Sequence, residues 1–179
     1  MSAVDVGPVT AGLRSHAISD SWFRDDDRNW RYGYGRGTDG AVAATEAFAA
    51  FAAREADDPN LMLMGVYDDV KPVGYVALEY LGPSTRTVRA SPFFSDDRIE
   101  VVHVALERIM EHTFKSFGKK IHRIKADLLR SNPLLEAFRM AGFKQEGIRR
   151  SAHWIGINSF DLAPMRILRP DWVKLQQEN

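Results

Sequence analysis

The sequence predicts a mixed α/β fold of the α+β kind, built as one domain. Apolar residues three and four positions apart indicate two long helices, over residues 41–58 and 99–114. Short runs rich in β-branched and aromatic residues lie between and after them and are typical of strands. With 179 residues, 45% of them hydrophobic, the chain can bury one full core.

The first half of the chain predicts one helix followed by three strands. The alanine-rich helix over 41–58 is expected to end at an Asp-Asp-Pro sequence. The apolar runs 61–67 and 73–81 flank the turn sequence DDVKP and predict a hairpin. The alternating residues 85–94 predict a third strand.

The second half predicts two helices and three strands. The helix over 99–114 has an apolar stripe on one face, formed by Ile99, Val102, Leu106, Ile109, Met110 and Phe114. A strand over 121–129 and a short helix over 132–142 follow. Residues 143–154 and 160–168 predict the two closing strands.

Two expectations concern the ends of the chain and its location. Residues 1–12 are expected to form a flexible N-terminal tail, and residues 13–179 the single domain. The N-terminus lacks the basic flank and apolar run of a secretory signal, and no apolar run approaches the roughly 20 residues that span a bilayer. We therefore expect a cytoplasmic protein with no membrane partner.

Composition excludes several kinds of chemistry. The chain has no cysteine, which excludes disulfides, thiolate metal sites and cysteine nucleophiles. No pair of its five histidines has metal-ligand spacing with an acidic partner, so no metal site is expected. The net charge is zero, but an acidic first half precedes a basic second half, which permits a nucleic-acid partner without favouring one. The glycine-rich residues 33–40 miss the spacing of a phosphate loop and predict a substrate-side loop or a plain connector.

The stretch RSNPLLEAFRMAGFKQEGIRR, residues 130–150, resembles the GNAT superfamily of N-acetyltransferases, and most closely its ribosomal-protein N-terminal acetyltransferase branch. The matching residues are Asn132, Gly142, Phe143, Glu146, Gly147 and Arg150, with Gly156, Asp161 and Met165 later. The resemblance covers about residues 14–172. It implies a mixed, mostly antiparallel central sheet flanked by helices, and acyl transfer from acetyl-CoA to an amine. The acceptor would be an amine-bearing small molecule or a protein N-terminus, and a homodimer is allowed.

In this chain, the segment aligned with the family's cofactor loop departs from the family's usual pattern. Aligning Pro92 with the family's proline places Phe94 on its aromatic residue and Ser95 on its arginine. The three glycines that admit the diphosphate of acetyl-CoA become Asp96, Arg98 and Glu100. The carboxylates of Asp96, Asp97 and Glu100 are expected to repel a diphosphate by on the order of 1–4 kcal/mol. The Asp97-x-x-Glu100 spacing is that of a capping box, so these two side chains could also cap the N-terminus of the helix over 99–114.

The resemblance implies roles for further residues. Asn132 would contact the pantetheine arm, and Phe93, Phe94 and Phe138 would wall its channel. The cations nearest the phosphates would be Arg98, Arg130 and Arg139. The candidate catalytic bases are Glu79 first, then Asp161 and His153, although each also has an ordinary structural interpretation. The aromatic segment 22–36 would line the acceptor side.

The family's usual proton donors are replaced by Phe138 and Leu135, neither of which can donate a proton. Three hypotheses therefore stay open. The favoured one is an acyl-CoA-dependent N-acyltransferase with an atypical cofactor loop. The second is a catalytically degenerate binding or regulatory module. The third is a transferase that uses a non-CoA donor or a nucleic-acid acceptor.

Overall fold

One sheet organises the computed structural model, which describes residues 3–10, 13–14, 22–34, 36–95, 98–117 and 120–178. Within these ranges eight strands follow the order β1-β2-β3-β4-β5-β8-β6, and β7 also pairs with β8. β4 and β5 are parallel, whereas the other neighbouring strands are antiparallel. The strands are β1 (Val4–Pro8), β2 (Leu61–Asp68), β3 (Lys71–Tyr80), β4 (Thr87–Phe94), β5 (Arg123–Leu129), β6 (Lys144–Gln145), β7 (Arg149–Ile155) and β8 (Asn158–Leu168).

Helices cover both faces of the sheet. A short 3-10 helix, Trp22–Arg24, precedes the α-helices α1 (Asp26–Arg31), α2 (Gly37–Glu55), α3 (Ile99–Ser116), α4 (Leu135–Met140) and α5 (Arg169–Glu178). None of the helices described is long and apolar enough to cross a membrane.

Alternation along β4 separates two hydrophobic cores. The side chains of Val88, Ala90 and Phe94 join the core beneath α3, α4 and α5. Phe93 points the opposite way, into the core beneath the 3-10 helix and α2. The two faces of the sheet are therefore distinct, and we call them the α3 face and the α2 face.

The structure confirms the predicted fold class, a mixed and mostly antiparallel sheet flanked by helices. The expected flexible tail is wrong for residues 4–8, because these residues pair with β2 and Val4 is buried. The predicted strand 143–154 is divided into β6 and β7 around Gly147, whose φ of 136° interrupts an extended strand. The helices α1 and α5 were not predicted.

Two residues of the family motif serve the fold. Glu146 forms ion pairs with Arg123 and Arg166 and so joins β6 to β5 and β8. Gly142 follows α4 with a φ of 87°, and any side chain there would clash with Leu175 of α5.

Candidate active site

A cleft opens where β4 and β5 separate. Their parallel pairing covers only Thr87–Arg89 of β4 and Arg123–Lys125 of β5. Beyond it lies a cavity of about 270 Å³. Its walls are residues 89–92 of β4, 127–129 of β5, 31–34 at the end of α1 and just after it, and His153 and Leu162.

On the β4 side of the cleft, few backbone donors remain. The Ser95 N–H donates to the Val73 carbonyl of β3, 2.8 Å away. Because backbone groups alternate along a strand, those of Phe94 and Pro92 face β5 instead. The Phe94 N–H donates to the Tyr32 hydroxyl, 3.0 Å away, and proline has no N–H.

On the β5 side, two backbone N–H groups face the cleft. The Arg130 N–H donates to the Asp161 carbonyl next to β8, 3.0 Å away. By the same alternation, the N–H groups of Asp127 and Leu129 point away from β8 and towards β4. Donors arranged in this way can polarise a carbonyl group placed between the strands.

Residues 31–34, which we call the cover segment, cross the cleft on the α2 face. Three hydrogen bonds fasten it: Asn132 Nδ2 to the Arg31 carbonyl at 3.1 Å, Phe94 N to the Tyr32 hydroxyl at 3.0 Å, and His153 Nε2 to the Gly33 carbonyl at 2.8 Å. The three partners belong to β4, to the turn after β5 and to β7. The cover segment therefore ties together the elements that form the cleft.

Charged side chains line the cleft on the α2 face. Arg89 lies on the face of β4 opposite Val88 and Ala90, and Asp127 lies on the face of β5 opposite Ala126. An Asp127 Oδ2 atom is 3.4 Å from Nη2 of Arg149. Arg31 and His153 complete the set of basic and acidic side chains in the lining within the described part of the chain.

Two tyrosines lie at this face of the cleft, Tyr34 partly buried and Tyr75 fully buried. Tyr34 lines the cleft, and Tyr75 stacks on Phe93 beneath it with ring centroids 5.7 Å apart. Burial raises the pKa of Tyr34, and it raises the pKa of Tyr75 well above its ordinary value. Both hydroxyls are therefore protonated at neutral pH.

Of the three predicted bases, His153 is the one that lines the cleft. Glu79 lies one strand away on β3, where Oε1 accepts from Arg54 at 3.0 Å and Oε2 is 3.7 Å from Nη1 of Arg89. Asp161 accepts from the Ser151 N–H at 3.0 Å and so holds the start of β7. As catalytic bases, all three stay predictions.

The aromatic residues expected to wall the cofactor channel are in the cores instead. Phe93, Phe94 and Phe138 have exposures of 0, 0 and 1%. The expected wall is therefore wrong, because strand and helix alternation turns these rings inward. Asn132 is also engaged within the chain: Nδ2 donates to Arg31, and Oδ1 accepts from the Leu134 N–H at 2.9 Å.

The predicted phosphate-facing cations each contact a carboxylate. The pairs are Arg98 with Asp68 at 2.6 Å, Arg139 with Glu136 at 3.1 Å and Arg130 with Asp161 at 3.6 Å. These arginines are about half exposed, so the pairs are weak enough to exchange partners. Ser95 is tied to β3 through its backbone, and Asp96 and Asp97 lie outside the described residues.

The sequence patterns did not indicate Arg89 and Asp127 as cleft residues, whereas Tyr34 belongs to the segment 22–36 that was predicted to line the acceptor side. The available signal was a charged residue at a strand position between apolar ones, which occurs at Arg89 in β4 and at Asp127 in β5, where Arg123 and Lys125 continue the alternation. Such a residue needs an open face of the sheet. Charged residues on the same face of two neighbouring strands would have indicated an open cleft at that point of the sheet.

This architecture is shared with known proteins of solved structure. No known family profile matches the chain, and no curated protein matches its sequence. Solved structures, in contrast, match the fold of the chain. Spermidine N-acetyltransferase from Vibrio cholerae, in complex with CoA and spermine, superposes with a TM-score of 0.74 at 14% identity, over 95% of this chain and 98% of that one.

Two further solved structures superpose on the chain over most of its length. Mycobacterium smegmatis RimJ, in complex with CoA-disulfide, gives a TM-score of 0.73 at 17% identity, over 98% of this chain and 88% of that one. Ribosomal-protein-S5-alanine acetyltransferase from Vibrio fischeri gives 0.69 at 14% identity, over 96% of each chain. The chain therefore has the predicted fold, that of the GNAT N-acetyltransferases, which enzymes of the ribosomal-protein branch and the spermidine enzyme share.

Proposed function

We propose that the chain is an N-acyltransferase that moves an acyl group, acetyl first among candidates, from a coenzyme A thioester to an amine. The observation that carries this proposal is the cleft between the parallel strands β4 and β5, with His153 and Asp127 in its walls. The structures with this fold include N-acetyltransferases solved with CoA, which supports a thioester donor.

The cleft fits the arm of such a donor. The arm is an extended chain with amide groups, and an extended chain can bind along an open strand edge through backbone hydrogen bonds. The N–H groups of Asp127 and Leu129 would hold the arm on one side, and the Pro92 carbonyl on the other. When bound, the donor supplies a carbonyl carbon that is activated for attack by an amine.

His153 is our choice for the base. A carbonyl oxygen only accepts, so Nε2 carries the hydrogen that is donated to Gly33. In the neutral ring Nδ1 then holds the lone pair that accepts a proton from the acceptor nitrogen. The transfer replaces a carbon–sulfur bond with a carbon–nitrogen bond, and the sulfur leaves with one proton.

Tyr34 is our choice for the donor of that proton. Tyr34 is a lining residue of the cleft, its hydroxyl interacts with that of Tyr75, and it carries a proton at neutral pH. The positions that supply this proton in the resembling family are Phe138 and Leu135, and both are buried apolar residues here.

The test has two parts. Calorimetric titration with acetyl-CoA should give saturable binding, and thiol release in the presence of a panel of amines should identify turnover. The variant His153→Gln can still donate an amide hydrogen to Gly33 but cannot act as a base, so its kcat should fall by about 100-fold. Binding no tighter than about millimolar, or full activity of this variant, would contradict the proposal or the assigned base respectively.

A second candidate is a binding module that keeps the fold without catalysis. The observation that favours it is the engagement of Asn132 and of the Phe94 N–H by the cover segment, since both groups face the region of the donor arm. A folded chain that shows no heat of binding with acetyl-CoA would support this candidate.

A further inference from the structure

We infer that the acceptor is a small amine that also carries a carboxylate, and that Arg89 binds this carboxylate. This inference rests on the proposed N-acyltransferase function and narrows it. It separates this chain from enzymes that act on polyamines and from those that act on protein N-termini.

The charge of the cleft is the first support. The described lining contains two guanidinium groups, Arg31 and Arg89, and one histidine, against one carboxylate, Asp127. Asp127 is already paired with Arg149 at 3.4 Å. A polyamine needs several carboxylates to replace its hydration, and this lining cannot provide them.

The position of Arg89 is the second support. It lies on β4 at the last paired residue before the strands separate, on the same face as Asp127 and His153. A group bound there would be at the closed end of the cleft, next to the backbone donors of β5. An acceptor whose carboxylate meets Arg89 would therefore have its amine directed towards the reacting carbonyl.

Glu79 orients Arg89 without saturating it. Its Oε2 atom is 3.7 Å from Nη1 of Arg89, longer than a hydrogen bond, while Oε1 makes a 3.0 Å hydrogen bond to Arg54. A guanidinium has five N–H donors and can accommodate a second carboxylate in bidentate geometry. Glu79 is then a positioning residue, and its charge is shared between two arginines.

The size of the cleft is the third support. A cavity of about 270 Å³ is small for a ligand site, and because it must also hold part of the donor, it leaves room for a small acceptor only. The cover segment closes the α2 face with three hydrogen bonds, which limits access for a protein chain.

The test compares matched acceptors. Acetyl transfer is measured to a set of free amino acids, to the carboxamides of the same amino acids, and to spermidine. The free acids should exceed their carboxamides in kcat/KM by roughly tenfold to hundredfold, because the carboxamide loses a charge-assisted contact. Equal rates for acid and amide, or a preference for spermidine, would overturn the inference while leaving the acyltransferase function in place.

Variants assign the effect to Arg89. Arg89→Gln should raise KM for the free acids by roughly tenfold to hundredfold, and should change KM for the carboxamides far less. Arg54→Gln is the matched control, since it removes the other arginine at Glu79 without removing the cation in the cleft. If Arg89→Gln does not fold, the comparison of wild-type rates still decides. Absence of any acetyl-CoA binding would overturn the proposed function and this inference with it.

Discussion

The Nε2 atom of His153 lies 2.8 Å from the carbonyl oxygen of Gly33, and this hydrogen bond joins β7 to the cover segment. It fixes the ring of the proposed base and also fixes the cover segment that crosses the cleft. Gly33 has a φ of 83°, and a Cβ atom there would lie 2.5 Å from the same Nε2 atom. The catalytic and structural roles of this contact are therefore coupled.

Gly33→Ala tests that coupling. We expect the free energy of unfolding to fall by about 2–3 kcal/mol, from the left-handed backbone and from loss of the hydrogen bond. Gly37→Ala is the control, because Gly37 has a φ of 66° but open space at the Cβ position, and its cost should be about 1–2 kcal/mol. Urea unfolding measures both. Equal losses would show that the contact with His153 adds nothing.

Tyr34→Phe should lower kcat by about 100-fold and leave KM for the acceptor near its wild-type value, because the proton for the leaving sulfur is lost. Tyr67→Phe is the matched control, since Tyr67 packs against the same hydrophobic core, its hydroxyl donates to the Pro8 carbonyl, and it is not among the residues that line the cleft. Steady-state thiol release measures both. If the two variants lose activity equally, Tyr34 acts through packing.

Glu79→Gln distinguishes a role in positioning Arg89 from a role as the catalytic base. As a positioning residue, Glu79 should affect KM for a carboxylate-bearing acceptor by roughly several-fold and leave kcat nearly unchanged. If Glu79 were the base, as the sequence suggested, kcat would fall by about 100-fold and its pH profile would lose its acidic limb. Acceptor-saturation curves across a range of pH separate the two.

Alkaline pH should destabilise the protein through Tyr34 and Tyr75. Burial raises the pKa of both in the folded state above the unfolded value of about 10, so the folded state holds its protons longer. Their stabilisation is complete below about pH 10 and is lost as the pH rises through the folded pKa values. Urea unfolding above pH 10 should show this decline, with a shallower slope in Tyr75→Phe. Phenolate absorbance at ordinary pKa values for all five tyrosines of the folded chain would refute it.

Tyr32→Phe tests the attachment of the cover segment to β4. Removing the hydroxyl that accepts from the Phe94 N–H should speed hydrogen exchange at that amide by about tenfold, the equivalent of one net hydrogen bond. Tyr67→Phe removes a hydroxyl that donates to the Pro8 carbonyl elsewhere and should leave the Phe94 amide unchanged. Amide exchange followed by NMR provides the measurement. An unchanged rate in Tyr32→Phe would mean that the segment is not held there.

Much of the fold was predictable from local patterns. The stripe of α3 and the hairpin of β2 and β3 are signalled by residues close together in sequence, and both formed as expected. The pairing of β1 with β2 was missed because its partner lies some 60 residues away and its short VDVGP sequence has little periodicity of its own.

The site was less predictable, because it depends on where two strands part. The segment 22–36 was expected on the acceptor side, and its residues 31–34 do line the cleft. Asn132 belongs to the motif that the sequence shares with the family, but its bond to Arg31 joins residues 101 positions apart, which no local pattern predicts. Arg89 and Asp127 become cleft residues only because the pairing of β4 and β5 ends at Arg89, which no local pattern reveals.

Calorimetric titration of the wild-type chain with acetyl-CoA tests the central claim most directly, since the claim is that the cleft between β4 and β5 binds a thioester donor. We predict saturable binding of one molecule per chain, with a Kd below about 1 mM. Heats indistinguishable from dilution at millimolar donor, in a chain shown to be folded, would contradict it.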